Sequence, residues 1–295
     1  MLHYERPFER ETILAHLREQ IEKGIPILGA GAGTGISAKC AQEGGADLIV
    51  IYNSGRFRMA GRGSLSGLMP YGDANAIVCE MAAEVLPVAT RTPVLAGVCG
   101  TDPFRLMDLF LSELKAMGFA GVQNFPTVGL IDGVFRQNLE ETGMGFRKEV
   151  DMVGMAREMD LLTTPYVFVP EEAVAMTEAG ADVLVAHLGL TTKGTIGATT
   201  ALTLDDSIRR VQEIHDAAKA VREDVLVICH GGPVAEPDDV NYVLENSRGI
   251  VGFFGASSVE RLPTERAITK QVKSFKSLHL SRNLGPPNGV SLGNL

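Results

Sequence analysis

Two histidines follow short apolar runs, and imidazole is the side chain that most readily transfers protons near neutral pH. His187 ends the run VLVAH, and His230 ends the run VLVICH. Asn124 lies near the end of a third run of this kind, and Asp102 lies just beyond a fourth. If the runs are neighbouring strands, these four side chains lie at one edge, and we interpret them as candidate catalytic residues. Asp102 also suits a second role, as the cap of a helix that begins at Pro103.

A segment rich in arginine and glycine, residues 53–73, follows the second apolar run. It contains five glycines together with Arg56, Arg58 and Arg62. The guanidinium group offers paired donors that match carboxylate and phosphate groups. We predict a loop without regular structure that closes over an anionic substrate and binds it through Arg56 and Arg58. A solvated basic loop without a ligand is the alternative.

Small residues follow the last two apolar runs. Gly231 and Gly232 follow the seventh run, and Gly255, Ala256 and Ser257 follow the eighth. In barrel proteins, backbone N–H groups of such turns often bind phosphate, so we predict substrate binding at these five positions. Ordinary tight turns are the alternative.

The first apolar run leads into the glycine-rich turn GAGAGTG at residues 29–35. This turn lacks the spacing G-x-G-x-x-G, and the second run does not end in the acidic residue that would hold a ribose. We therefore expect no nucleotide cofactor. The turn suits either tight packing or the approach of backbone to a small anion.

Eight nearly continuous apolar runs alternate with helical segments along the chain. Such runs are typical of strands buried on both faces, as in a parallel sheet covered by helices. Eight strand–helix units predict an α/β protein with a single (β/α)8 barrel, and a doubly wound open sheet is the competing fold. In a barrel, functional side chains lie at the C-terminal ends of the strands. The runs are residues 25–30, 47–52, 93–99, 121–125, 163–169, 183–187, 225–230 and 250–254.

The two ends of the chain differ from these units. Residues 8–23 place four apolar side chains between Ile13 and Ile21 on one stripe, which predicts a helix across the N-terminal face of the barrel. The last residues are rich in Gly, Pro and Asn, so we expect a frayed end or an arm that contacts a neighbouring molecule. The predicted division is an N-terminal capping helix (1–24), the barrel (25–280) and a C-terminal tail (281–295).

The composition argues against several classes of function. The 295 residues carry a net charge of −9 and no basic stripe, so nucleic acid and anionic membranes are not expected as partners. The four cysteines form no C-x-x-C pair, and no apolar run approaches the roughly 20 residues of a membrane span. The N-terminus lacks the apolar segment of a signal peptide. We expect a cytoplasmic protein that binds a small anionic metabolite.

Four short motifs stand in the first 75 residues: Ser37-Ala38-Lys39, Gly44-Gly45-Ala46-Asp47, Ser54-Gly55 and Gly72-Asp73. They resemble the start of the phosphoenolpyruvate mutase/isocitrate lyase superfamily, which includes phosphonopyruvate hydrolase. Over its whole length the chain is similar to the phosphoenolpyruvate hydrolase-like family, also called TIM-barrel signal transduction proteins. The resemblance implies a (β/α)8 barrel, Mg²⁺, a 2-oxo acid substrate and the cleavage or formation of C–C or C–P bonds. It also implies a homo-oligomer, because superfamily members pack their barrels together through their last helices.

The resemblance assigns roles to individual residues. Ser54 and Gly55 match the turn that offers donors to the carboxylate and oxo oxygens of the substrate. Asp102 is the acidic residue nearest to the turn where the superfamily binds Mg²⁺, so it is the candidate metal ligand. Asn124 stands where the superfamily has a metal-bridging acid, and the Asp-rich turn after strand three is absent.

These features favour an enzyme over other classes. The leading hypothesis is a phosphonopyruvate- or phosphoenolpyruvate-type hydrolase that acts on a small anionic 2-oxo acid through an enolate-like intermediate. Residues 54–56 hold the carboxylate in this hypothesis, and the turns at 231–232 and 255–257 hold the phosphorus end. A metal-independent lyase or isomerase on another small anion is the second hypothesis. A non-catalytic ligand-binding or signalling barrel is the third.

Overall fold

Nine parallel strands form one sheet in the computed structural model, which describes residues 8–199 and 202–280. Nearly every strand residue is buried, as expected when helices cover one face and side chains fill the other. The strands are β1 (Ile27–Ala32), β2 (Leu48–Ile51), β3 (Val94–Val98), β4 (Gly121–Asn124), β5 (Leu162–Thr163), β6 (Tyr166–Val167), β7 (Val183–His187), β8 (Leu226–His230) and β9 (Gly252–Gly255).

The sheet closes on itself through the segment that contains β5 and β6. The strand order is β5-β4-β3-β2-β1-β9-β8-β7-β6, and only Thr164 and Pro165 separate its two end strands along the chain. The N–H of Thr164 donates to the carbonyl of Val122 beside β4 (3.0 Å), and the N–H of Val185 in β7 donates to the carbonyl of Pro165 (2.9 Å). The predicted (β/α)8 barrel is therefore confirmed, with its fifth strand divided in two.

Helices surround the barrel and connect its strands. Local signals fix several of their ends: the Thr34 side chain accepts from the N–H of Ser37 at the start of one helix, and Gly118 ends another with a left-handed φ of 103°. The helices are α1 (Arg10–Glu22), α2 (Gly35–Glu43), α3 (Asn53–Met59), α4 (Ala74–Val85), α5 (Met107–Met117), α6 (Gly133–Glu141), α7 (Arg147–Glu158), α8 (Pro170–Glu178), α9 (Leu204–Val221), α10 (Pro237–Asn246) and α11 (Arg261–Lys276).

The first helix, α1, lies across the N-terminal ends of the strands. The Arg10 guanidinium donates to the carboxylate of Asp182, which directly precedes β7. Gln20 donates to Asp47, which directly precedes β2. Ile13, Leu14 and Leu17 are buried against the barrel, as their spacing indicates. Of the proposed segments, residues 1–7 and the tail 281–295 lie outside the described residues.

The expectation of an unstructured loop over residues 53–73 is wrong. This segment begins with α3 and continues into a short 3₁₀ helix, Ser64–Leu68. The local cause is close packing between backbones: a Cβ atom on Gly33 would lie 2.1 Å from the carbonyl oxygen of Gly55. Two glycines thus let the first turn of α3 rest directly on the turn after β1.

Two further helices differ from the sequence-based expectation. Residues 103–106 form a turn, and the helix expected from Pro103 starts at Met107 as α5. The sequence also gave no indication of α6. Throughout 8–199 and 202–280, no helix combines the length and the apolar composition that crossing a bilayer requires.

Candidate active site

A small cavity lies at the centre of the barrel, at the C-terminal ends of the strands. Its volume is about 30 Å³, enough for one or two water molecules. Two segments cover it, the 3₁₀ helix through Ser64 and Leu65 and the loop after β7 through Gly189, Leu190 and Thr191. The remaining side chains that line it are Tyr52, Ser54, Arg58, Phe125, Leu130, Tyr166, His187, His230, Ala256 and Ser257.

His187 and His230 face each other in this cavity because they are register partners at the ends of β7 and β8. Their ring centroids are 4.6 Å apart, with the rings almost perpendicular. Nδ1 of His230 lies 2.7 Å from the carbonyl oxygen of Phe254, and a carbonyl only accepts, so this nitrogen carries the proton. Nδ1 of His187 accepts from the N–H of Gly189 (3.0 Å), so its proton is on Nε2. The pair therefore offers one acceptor, Nε2 of His230, and one donor, Nε2–H of His187.

Burial keeps both imidazoles neutral. Burial, partly opposed by the hydrogen bond to Phe254 and assisted by the nearby Arg58 guanidinium, lowers the pKa of His230 to about 4. Burial also lowers the pKa of His187 well below its usual value, with His230 adding to the effect. Aromatic rings of Tyr166 and Phe254 pack against His230. At neutral pH the cavity thus contains a free imidazole base rather than an imidazolium ion.

Arg58 places a buried positive charge beside the two histidines. Its Nε and Nη2 atoms donate to one carboxylate oxygen of Glu260, at 2.9 and 2.7 Å. Its Nη1 atom is buried and makes no hydrogen bond of good geometry, although the Tyr52 side chain lies beside the guanidinium, with its ring centroid 5.7 Å from Cζ. A buried donor without a partner costs free energy, so it indicates that an acceptor belongs there. The cavity therefore suits a small anion that accepts from Arg58.

Glu260 orients Arg58, and the sequence analysis missed it. The same carboxylate accepts from the N–H of Gly33 and from the hydroxyl of Ser37, so it joins the turn after β1 to α3. Both Glu260 and Arg58 have side chains that are 1% exposed. The two residues are 202 positions apart, and neither belongs to a recognised motif, so no local pattern indicates the pair.

The residues predicted to bind the substrate carboxylate, 54–56, lie in different environments, and only one of them lines the cavity. Ser54 lines the cavity, but its hydroxyl donates to the carbonyl of Ser64 (2.8 Å) and so anchors the covering 3₁₀ helix. Gly55 lies against the turn after β1 and does not line the cavity. Arg56 points away from it and forms an ion pair with Glu80 on α4.

Of the small residues predicted to bind the substrate at the ends of β8 and β9, only some line the cavity. Ala256 and Ser257 line the cavity, whereas Gly255 pairs with Ala30 inside the sheet. Gly231 and Gly232 have left-handed φ angles of 79° and 59°, and neither lines the cavity. The N–H of Gly232 instead donates to the carbonyl of Gly189 (2.8 Å), which holds the loop after β7 in place.

Asp102 lines a different cavity, and its oxygens already have partners. One oxygen accepts from the N–H of Phe104 (2.9 Å), and the other accepts from Asn75 (2.9 Å) and from Arg105. Arg105 also pairs with Asp73, so a guanidinium stands where a cation between the two acids would bind. No cluster of three or more potential metal ligands occurs in the part of the chain that the structure describes. These residues do not fit the Mg²⁺ site that the resemblance implies.

Asn124, at the end of β4, links that strand to β6 through hydrogen bonds of its side-chain amide. Its amide nitrogen donates to Glu149 (2.6 Å) and to the carbonyl of Tyr166 (3.2 Å), and its amide oxygen accepts from the N–H of Tyr166 (2.6 Å). Glu149 also accepts from the N–H of Val128 (2.8 Å). Because burial outweighs these hydrogen bonds, it raises the pKa of Glu149 to about 7. The Asn124–Glu149 pair thereby fixes the segment after β4.

Comparison with known families identifies the chain at the family level. A family model for phosphoenolpyruvate hydrolase-like proteins matches residues 12–278. The chain belongs to this family. The resemblance found in the sequence is therefore confirmed, and the match extends over the whole barrel.

Two curated proteins similar to this chain come from Solanum lycopersicum, ToMV resistance protein Tm-1(GCR237) and ToMV susceptible protein tm-1(GCR26). Each is 63% identical to this chain over 272 residues, which are 92% of the chain. The matched region is 36% of the length of each relative. The chain therefore corresponds to about a third of these proteins.

Solved structures of the phosphoenolpyruvate mutase/isocitrate lyase superfamily have a similar fold. Oxaloacetate acetylhydrolase is 15% identical, with a TM-score of 0.60 and coverage of 95% of this chain and 93% of that chain. Phosphonopyruvate hydrolase, in a complex with oxalate and Mg²⁺, is 16% identical, with a TM-score of 0.54 and coverage of 90% and 88%. At these identities the comparison establishes the shared barrel fold.

Proposed function

We propose that this protein is an enzyme that transfers a proton on a small anionic 2-oxo acid bound in the cavity at the barrel centre. The observation that carries this proposal is the buried Nη1 atom of Arg58, which lacks a partner beside two neutral imidazoles of complementary hydrogen-bonding character. The carboxylate of the acid accepts from Arg58, which removes the unpaired donor. Family membership supports an anionic substrate, since the superfamily acts on small anionic acids.

The chemistry follows from the two ring nitrogens. Nε2 of His230 takes a proton from the carbon next to the oxo group, and the C–H electron pair moves to the oxo oxygen to give an enolate. The Nε2–H of His187 donates to this oxygen as negative charge develops, and Arg58 adds electrostatic stabilisation. In a lyase reaction, His230 takes the proton of a hydroxyl instead, the adjacent C–C bond breaks, and its electron pair forms the enolate.

Among the three sequence-based hypotheses, the donors around Asp102 favour metal-independent lyase or isomerase chemistry. Hydrolysis of phosphonopyruvate or phosphoenolpyruvate remains a second candidate, because Ala256 and Ser257 line the cavity and offer a turn of the kind that binds phosphate. The third hypothesis, a non-catalytic ligand-binding barrel, uses the same Arg58 contact without proton transfer.

Exchange of substrate hydrogen with solvent tests this function. We expect the protein to catalyse deuterium exchange at C3 of pyruvate, oxaloacetate or 2-oxobutanoate in D₂O, measured by NMR, with the rate unchanged by EDTA. His230→Gln abolishes the exchange because the base is lost. Phosphate release from phosphonopyruvate that depends on added Mg²⁺ would instead support the hydrolase, and binding without exchange or turnover would support the non-catalytic barrel.

We also propose that the chain forms a homo-oligomer through α11. From Arg266 onward every described residue of this helix and its extension is exposed, including Ile268, Val272 and Phe275 on one face. A groove of about 510 Å³ lies on the outside of the barrel, and its apolar residues include Ile25 and Val240. An unpaired apolar helix and an open apolar groove on one chain suit packing between two copies. The expected absence of nucleic-acid and membrane partners stays a prediction.

A further inference from the structure

A second and much larger cavity lies next to the one at the barrel centre. Its volume is about 560 Å³, and it opens between the ends of β2, β3 and β4 and the helix α6. Apolar side chains form most of its wall, among them Leu68, Val128, Ile131 and Leu139. Phe135 stands at its opening and is 64% exposed.

The polar side chains of the second cavity are already paired. Asn53 donates to the carbonyl of Gly67, and Asn75 donates to Asp102. Asp73 and Asp102 both accept from Arg105. Among the described residues, no buried polar side-chain atom of this cavity lacks a partner, so what the cavity mainly offers a ligand is apolar contact.

The wall between the two cavities is one residue thick. Asn53 lines the large cavity while its neighbour Ser54 lines the small one, and Pro126 and Phe125 are divided in the same way. Gly67 completes the wall without a side chain: a Cβ atom there would lie 2.8 Å from Cε1 of Phe125 and 2.9 Å from Cβ of Ser54. The Phe125 ring therefore forms part of this wall, and its displacement would thin the separation between the two cavities.

At about 30 Å³ the small cavity is too narrow for a whole 2-oxo acid, so binding the acid proposed above requires the cavity to widen. An acid whose carboxylate reaches Arg58 must displace part of the wall, and Phe125 is the side chain on the side of the large cavity. The remainder of the ligand would then extend into the larger, mostly apolar cavity.

We infer that the substrate is a 2-oxo acid with an apolar chain of several carbons, which extends past Phe125 into the second cavity. This inference rests on the proposed function, because it takes the carboxylate to be bound by Arg58. It adds the class of substrate: the head group provides the reacting atoms, and the chain provides binding energy through apolar burial.

A series of acids of increasing length tests the inference. We expect the dissociation constants of pyruvate, 2-oxobutanoate, 2-oxohexanoate and 2-oxooctanoate, measured by calorimetry on the full chain, to fall about fourfold for each added methylene. Leu139→Trp fills the cavity and Phe135→Asp places a charge at its opening, so both remove the gain with length and leave pyruvate unaffected. Leu109→Trp is the matched control, because Leu109 is exposed on α5 and lines neither cavity.

The outcomes separate this inference from the proposed function. Affinity that does not rise with length, or a rise that both cavity variants leave intact, overturns the inference. If pyruvate still binds and Arg58→Lys still weakens it, the proposed function survives that result. If no acid of the series binds, both fail. Because Phe135 is largely exposed, Phe135→Asp keeps the test decisive even if Leu139→Trp does not fold.

Discussion

At the scale of single residues, the two histidines differ in what each can do. The contact with Phe254 leaves His230 with a free lone pair, and the contact with Gly189 leaves His187 with a free N–H. These backbone contacts therefore assign the base and the donor without reference to a substrate. The sequence indicates both positions, but the assignment of roles needs the backbone partners.

The lowered pKa of His230 predicts when this base is protonated. We expect NMR titration of its Cε1–H resonance, assigned by comparison with His230→Gln, to show a midpoint near pH 4. Because the folded pKa is below the unfolded value, His230 contributes stability above about pH 6.5 that is lost as the pH falls toward 4. A midpoint near 6.5 would show that the imidazole is solvated, which contradicts the buried cavity.

The Arg58–Glu260 pair predicts a large difference between two similar substitutions. Glu260→Gln leaves the buried guanidinium without its counter-charge, so we expect a loss of roughly 3–5 kcal/mol in the free energy of unfolding. Glu80→Gln breaks the exposed pair with Arg56, and its effect stays within about 0.5 kcal/mol. Urea denaturation of both variants measures the two losses in unfolding free energy. Equal losses would show that the buried pair contributes no more to stability than the exposed pair.

At the scale of elements, the sequence predicted the strands well and the α3 region poorly. Long apolar runs mark buried parallel strands, and each of the eight runs overlaps a strand of the structure. The α3 segment has arginines and glycines that look like a loop. Its helix depends on contact with the turn after β1, which no local pattern contains.

This helix also explains why the sequence could not separate Arg56 from Arg58. Two positions along a helix turn the side chain by about 200°, so neighbours of this spacing face opposite sides. Arg58 points into the barrel, whereas Arg56 points to Glu80. An unstructured loop makes no such distinction, and both residues were equally good candidates for binding an anion.

The buried carboxyl group of Glu149 on α7 predicts a pH dependence of the stability. Because the pKa of Glu149 is about 7 in the folded chain and about 4.5 when unfolded, the folded state binds more protons between these values. Its contribution to stability is full below pH 4.5 and is lost as the pH rises through 7. We expect the unfolding free energy of Glu149→Gln, relative to the wild type, to rise on the order of 3 kcal/mol from pH 4.5 to 7.5.

The matched control for this prediction is Glu158→Gln, which changes an exposed carboxylate on the same helix, α7. Denaturation at several pH values should give a difference from the wild type that hardly varies. A constant difference for Glu149→Gln as well would show that this carboxylate is not desolvated in the fold.

At the scale of the whole molecule, the exposed face of α11 predicts association. We expect light scattering after gel filtration to give at least twice the 31.5 kDa mass of one chain. Val272→Glu places a charge in the proposed contact and should yield monomers without loss of helix content. Lys273→Glu, on the next position of the same helix, is the control, and it should keep the oligomer. Monomers in the wild type at micromolar concentration would contradict the proposal.

Barrel closure and contacts between distant residues also determine which residues of the site could be predicted from the sequence. Barrel closure brings strand ends together, so His187, His230 and Ser257 were predictable from their place after apolar runs. Asp102 follows a strand as well, but its partners make it a structural link between α4 and the turn that precedes α5. Whether a polar residue at a strand end is free or paired depends on contacts distant in sequence.

Binding of pyruvate to two lysine variants, measured by calorimetry, tests the central claim most directly. Arg58→Lys keeps a charge beside Glu260 but lacks the second donor arm, so we predict roughly 10- to 100-fold weaker binding. Arg56→Lys, two positions along the same helix, should bind as the wild type does. If Arg58→Lys binds pyruvate normally, or if Arg56→Lys weakens binding to the same extent, Arg58 does not hold the substrate and the account is contradicted.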